Sequence, residues 1–151
     1  MIFTRSYKIR FAHCDPAGIV FYPQYFVLLN DHIEDWFEQA LGTDFRTLHE
    51  SRRLGVPTVH ITCDFTGPSR LGEMVDLTLS VSRLGNASVT LSREVTCDGQ
   101  TRLKLTQVLA CLNMNTEQAT AWPEDLRQAM MPFQVTPELP PDSTANQRNP
   151  A

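Results

Sequence analysis

The sequence has no excess of positive charge, no long hydrophobic run and no closely paired cysteines. Thirteen Lys and Arg stand against seventeen Asp and Glu, a formal net charge of −4. A mildly acidic chain lacks the electrostatic footprint of a nucleic-acid binder. No apolar run approaches the roughly 20 residues that cross a bilayer. The first ten residues, MIFTRSYKIR, carry a charge every few positions and no apolar stretch, so no secretion signal is expected. Cys14, Cys63, Cys97 and Cys111 are widely and irregularly spaced, which argues against a zinc or redox motif and for reduced thiols in a cytoplasmic protein. His13, His32, His49 and His60 show no HExxH or other tight ligand spacing, so no metal is expected.

What is present is globular. The chain has 151 residues, 42% hydrophobic and 20% charged, enough for one domain with its own core. That domain is expected over residues 1–134. Residues 135–151 hold the Pro-rich stretch PELPPDSTANQRNPA, too poor in hydrophobes for a core and expected to be disordered.

Period-two spacing of Tyr7, Ile9 and Phe11, with Phe3 on the same face, predicts a first strand. Turn formers follow from His13 to Pro23. Residues 24–41 then carry Tyr25, Leu29, Ile33, Trp36, Phe37 and Ala40 at three- and four-residue spacing, which predicts one long helix with Pro23 at its start and Gly42 past its end. Asp31, Glu34, Asp35 and Glu38 give it an acidic face, expected to be solvated. Thr43 is placed to cap a shorter helix running to about Arg53, with Phe45 and Leu48 inward.

Alternating residues then predict successive strands at 58–66, 75–83, 87–97 and 102–113, with turn signals at Gly85-Asn86 and Asp98-Gly99. In the first of these, Val59, Ile61, Cys63 and Phe65 form the apolar face. A short helix from Pro123 to about Met131 closes the pattern. One long helix with an antiparallel meander is an α+β architecture in which the sheet curls around the helix. Its exposed edge and open face favour oligomerisation.

Chemistry is best placed in the segment His13 to Pro23, between strand and long helix. Asp15 sits in a turn stiffened by Pro16, ahead of a helix N-terminus whose free N–H groups favour negative charge. A carboxylate there could attack, or direct water onto, a carbonyl whose oxyanion the helix end stabilises. Plain turn chemistry accounts for the same residues. A Cys14–His13 pairing is disfavoured, because neighbouring side chains on an extended chain diverge. Arg93 falls on the apolar face of its strand, where a bulge, an interface ion pair or a bound phosphate would each account for it.

The run Asp15-Pro-Ala-Gly-Ile-Val-Phe-Tyr-Pro-Gln-Tyr25 resembles the helix-entry signature of the 4-hydroxybenzoyl-CoA thioesterase family of hotdog-fold enzymes. The order of elements also matches, roughly from Tyr7 to Met131. The resemblance implies a hotdog fold, a long central helix wrapped by about five antiparallel strands. It implies an acyl-CoA thioesterase that releases a free acid and CoA, the acyl group being aromatic, such as 4-hydroxybenzoyl, or short-chain.

By the same resemblance Asp15 is nucleophile or general base, the Tyr22 backbone N–H polarises the thioester carbonyl, and Gly18 lets the loop approach the acyl group. Tyr25, Asn30, His60 and Thr62 would line the substrate. No cofactor is implied, since CoA is part of the substrate. Homodimers or homotetramers with sites at subunit interfaces are implied too. Two positions depart from the pattern. Asn30 stands where the bacterial 4-hydroxybenzoyl-CoA enzyme has an acidic residue. The hairpin at 84–88 lacks that enzyme's basic cluster, leaving Arg70, Arg83 and Arg102 as candidates for the CoA phosphates. The rival readings are a hydrolase of acyl-carrier-protein thioesters, docking through Arg46, Arg52 and Arg53, and a non-catalytic acyl-CoA-binding oligomer.

Overall fold

The computed structural model describes residues 1–135; the expected Pro-rich tail beyond Val135 lies outside them. In chain order the elements are β1 (Phe3–Lys8), α1 (Tyr22–Gln39), β2 (Leu54–Gly55), β3 (Thr58–Phe65), β4 (Met74–Leu84), β5 (Ser88–Cys97), β6 (Gln100–Ala110), β7 (Leu112–Asn113), β8 (Gln118–Ala119) and α2 (Glu124–Met130). Five strands form one sheet in the order β1-β4-β5-β6-β3, and β2-β7-β8 form a second, small sheet. All the strand pairings are antiparallel.

The apolar stripe of α1 explains why the sheet holds it. Tyr25, Leu28, Leu29, Ile33, Trp36 and Phe37 are all buried, and their partners are the inward residues of the meander: Val75, Leu77, Leu79 and Val81 from β4, Val89, Leu91 and Val95 from β5, and Leu103, Leu105 and Leu109 from β6. Each such side chain contributes about 1.5–3 kcal/mol on leaving water. Register shifts at Val81/Arg83, Val95/Thr96 and Thr58/His60 bend the strands, since an extra residue on one strand increases local twist. At the β5–β6 hairpin, Asp98 (φ 49°) and Gly99 (φ 75°) both take the left-handed region that a two-residue turn requires. Among the described residues no helix is long and apolar enough to cross a membrane.

Several expectations need correction. Strand β1 stops at Lys8, and Phe11 sits in a single turn at Phe11–His13 with 84% of its surface exposed. Ile9 does enter the core. Helix α1 begins at Tyr22, so Pro23 is one residue inside it. Thr43 does not cap the next turn; its hydroxyl is buried without a partner, and the Asp44 carboxylate accepts the Thr47 N–H at 2.7 Å instead. The segment that follows is one wide π-type turn over Thr47–Ser51, with Leu48 fully buried. The last long strand ends at Ala110, and Leu112–Asn113 pass to the small sheet. On the acidic face of α1, Asp35 is not simply solvated but accepts the Tyr7 hydroxyl.

The largest difference concerns β3. As the outer strand beside β6 it has one unpaired edge, and its expected core face is open: Val59 is 60%, Ile61 40% and Phe65 50% exposed.

Candidate active site

The loop between β1 and α1 is a closed, tightly bonded unit. The Asp15 N–H donates to Ile19 O at 3.0 Å, and the Gly18 N–H returns to Asp15 O at 2.9 Å. The Asp15 Oδ1 accepts the Ala17 N–H at 2.9 Å, which orients the carboxyl group. Gly18 takes φ 75°, a conformation that costs an L side chain about 1–2 kcal/mol. Cys14 and Val20 form a single antiparallel bridge at the neck. Two further bonds fasten the loop to the chain before β4: Val20 N–H to Ser69 O at 2.9 Å, and Leu71 N–H to Gly18 O at 3.0 Å.

That same segment is clamped from the sheet. Both Glu73 carboxylate oxygens accept from the Arg102 guanidinium at 3.0 Å, and the Arg102 Nη1 also donates to Pro68 O. The guanidinium and the Arg70 N–H hold the Glu73 carboxyl down at about 2.

At the start of α1, Phe21 donates to His13 O at 3.0 Å, and the Gln24 N–H returns to Phe21 O at 2.8 Å. Pro23 has no N–H. Among the described residues the Tyr22 N–H has no hydrogen-bond acceptor, and it stands at the positive end of an 18-residue helix. Tyr22 and Tyr25 line a cleft of about 450 Å³ with Val20, Phe65 and Pro68. The Phe65 ring packs against Tyr22, Tyr25 and Phe26 at centroid distances of 6.2, 6.0 and 6.5 Å.

A second region lies further along α1. Two clefts, of about 410 and 460 Å³, meet at Asn30, Thr58 and Gln107. Behind them is a buried polar chain. Arg93 donates to Leu29 O at 2.7 Å, to His32 Nδ1 at 2.9 Å and to Gln107 Oε1 at 2.8 Å. Gln107 Nε2 donates in turn to Thr58 Oγ1 at 2.8 Å. Burial lowers the Arg93 pKa to about 9, and burial reinforced by the Arg93 charge lowers that of His32 to about 3. At neutral pH the arginine is charged and the imidazole is not. Arg93 bonds no carboxylate among the described residues.

The expected site residues fall into separate groups. Asp15 and Gly18 share the loop, Tyr22 and Tyr25 share the cleft at the helix start, and Asn30 is an exposed residue of the second region. Tyr25 is almost wholly buried and donates its hydroxyl to Ser69 Oγ at 2.8 Å. His60 and Thr62, expected beside the acyl channel, stand on the other face of the sheet. Thr62 shares a shallow depression with Glu94, Lys104 and Thr106, and His60 Nε2 lies 3.3 Å from the Thr62 hydroxyl.

Arg102 is committed to Glu73, so Arg70 and Arg83 are the exposed members of the proposed phosphate set. The arginines expected to dock a carrier protein are occupied as well: Arg46 with Glu50, Arg52 with Asp125 through two bonds, and Arg53 with Asn115. Gln107 and Thr58 were not among the expected site residues. One signal for Gln107 was visible, a polar side chain within the inward series Leu103, Leu105, Leu109.

A long helix wrapped by a curved five-stranded antiparallel sheet is the hotdog arrangement of thioesterases. Residues 9–130 match the family model described as the thioesterase-like superfamily. The chain belongs to that superfamily and is a thioester hydrolase by descent. A 1,4-dihydroxy-2-naphthoyl-CoA hydrolase from Synechococcus elongatus is 26% identical over 120 residues, covering 79% of this chain and 88% of the relative. A 1,4-dihydroxy-2-naphthoyl-CoA thioesterase from Synechocystis superposes with a TM-score of 0.79 at 17% identity, over 87% of this chain and 96% of the other. A Staphylococcus aureus protein characterised in complex with CoA gives a TM-score of 0.82 at 17% identity, over 93% of this chain and 90% of the other.

Proposed function

We propose that this chain hydrolyses an acyl-CoA, releasing a carboxylic acid and CoA, with an aromatic acyl group the leading candidate. The observation that carries this reading is the unbonded Tyr22 N–H at the start of α1, adjoining a loop whose bonds orient Asp15. Asp15 acts as nucleophile or as general base toward water. The oxyanion that forms at the thioester carbonyl takes the Tyr22 N–H and the helix dipole, and the CoA thiolate leaves. One such donor is worth about 3–4 kcal/mol of barrier. The thioester is already activated, so positioning and oxyanion stabilisation suffice and no cofactor is drawn on. The names of the relatives support CoA as carrier and an aromatic acyl group. Arg70 and Arg83 are the side chains we assign to the CoA phosphates. A cytoplasmic setting fits the four free cysteines.

We also assign the open face of β3 to a second copy of the chain, in a homodimer or a tetramer built from it. Its unpaired edge and exposed Val59, Ile61 and Phe65 are an edge that a sheet protein must cover or blunt. Phe65 links that face to the cleft at Tyr22, so the partner would close the site.

The test is thiol release from aromatic, short-chain and long-chain acyl-CoAs, wild type against Asp15→Asn. Turnover that falls at least about a hundredfold in the variant supports the reading. Equal activity of the two proteins makes Asp15 a turn residue and removes the mechanism. Tight binding of acyl-CoAs without turnover makes the chain a binding module instead.

A further inference from the structure

The thioester hydrolase reading leaves the Arg93–Gln107–Thr58 chain unused. Arg93 is 1% exposed, and a buried cation is normally neutralised by a carboxylate. Here its bonding partners are a helix carbonyl, an imidazole nitrogen and an amide oxygen. Its charge is therefore uncompensated by any bonded anion, and the chain of hydrogen bonds leads from it to a cleft.

The direction of those bonds fixes what the cleft presents. Arg93 can only donate, so the Gln107 side-chain oxygen faces it and the amide nitrogen faces Thr58. The Thr58 oxygen accepts that N–H, and among the described residues the Thr58 O–H has no acceptor, so it can donate into the cleft. The second Gln107 N–H likewise has no acceptor among the described residues. At the 410 Å³ cleft, the positively backed chain thus ends in donors, among mostly apolar neighbours such as Ile33, Phe45 and Leu109. Among the described residues no acidic side chain lines this cleft. Asp31 lines only the adjoining one, so an anion is favoured on the Thr58–His49 side.

We propose that this cleft selects acyl groups bearing an anionic oxygen, a carboxylate above all, at the end remote from the thioester. Thr58 and Gln107 read that oxygen directly. Arg93 is a positioning residue that orients the Gln107 amide and supplies the charge behind it. For the acyl-CoA itself the proposal rests on the hydrolase reading.

The experiment compares kcat/KM for 4-carboxybenzoyl-CoA and 4-methylbenzoyl-CoA, which differ at the remote substituent alone. Wild type should favour the carboxylate at least about tenfold, as a charge-assisted bond pair implies. Thr58→Val removes the free donor, and Gln107→Glu keeps the shape while neutralising Arg93. Each should bring the ratio close to one. A purely structural role would lower both substrates together and leave the ratio in place, which overturns the proposal.

Binding of 4-carbamoylbenzoate against 4-methylbenzamide, by calorimetry on the same proteins, separates the two readings. Turnover of both CoA substrates with no preference removes the anion site and leaves the hydrolase. Binding of 4-carbamoylbenzoate that Thr58→Val abolishes, without turnover of any acyl-CoA, keeps the anion site and removes the hydrolase.

Discussion

The Arg93 Nη2 lies 2.9 Å from His32 Nδ1, so two side chains that could each carry a positive charge share one proton donor. Arginine keeps its protons, and the imidazole must accept. His32 is therefore neutral with its proton on Nε2, an atom that has no hydrogen-bond partner. Phe3 stacks on the ring at 5.1 Å.

This arrangement makes stability depend on pH. The His32 pKa drops from the ordinary 6.5 to about 3, through burial first and the Arg93 charge second. The unfolded chain takes up a proton near pH 6.5 that the folded chain refuses until about pH 3, so stability falls as the pH falls through that window. The slope from this one group is about 1.4 kcal/mol per pH unit. Urea midpoints should therefore decline from pH 7 to pH 5. His32→Asn retains an acceptor for Arg93 and should flatten the decline; an unchanged slope assigns it elsewhere.

Glu73 governs a lower window. Its pKa is held at about 2 by Arg102, so its contribution is complete above about pH 4.5 and is lost as the pH falls toward 2. Glu73→Gln leaves the nearly buried Arg102 without its anion and should cost about 2 kcal/mol at neutral pH. A drop in thermal midpoint of several degrees checks it. Because Glu73 closes the segment that holds the Asp15 loop, turnover of the folded variant should fall too.

Gly18 allows a test of the loop alone. A Cβ at this position would meet nothing within 4 Å, and the constraint is φ 75°. Gly18→Ala should cost about 1 kcal/mol of stability, read from chemical unfolding. A loss well above that shows that the loop carries more of the fold than its contacts indicate.

The edge of β3 predicts an assembly state. Wild type should run at twice the chain mass or a multiple of it in light scattering after gel filtration. Ile61→Glu puts charge on the 40%-exposed centre of that strand and should shift the population toward monomer. A monomeric wild type at micromolar concentration removes the assignment of this face.

The elements that one face of one element specifies were legible in advance. The α1 stripe from Tyr25 to Phe37, the alternation in β4 and β5 and the Asp98-Gly99 turn each read correctly because local periodicity and turn chemistry decide them. The order of elements and the Asp15–Tyr25 run were enough for the fold. Phe11 misled because alternation does not reveal where a strand loses its neighbour. Thr43 lost to Asp44 because both are good capping residues and the path out of α1 chooses between them. His32, Arg93 and Gln107 come from α1, β5 and β6, and only the packing of helix on sheet brings them together. Alternation in β3 was real, yet it marks a face that this chain alone leaves uncovered.

The order of strands has a consequence for synthesis. Phe3 pairs with Leu79, and Tyr7 with Val75, so the first strand leaves the ribosome well before its neighbour exists. Helix α1 waits as well, since Trp36 and Phe37 share a core with Val89, Leu91 and Leu109. During that interval its apolar stripe is open to other nascent chains. The β4–β5 and β5–β6 hairpins need no distant partner and can form as soon as they emerge. Translation pauses placed before residue 75 should raise the aggregated fraction, whereas pauses after residue 110 should have little effect.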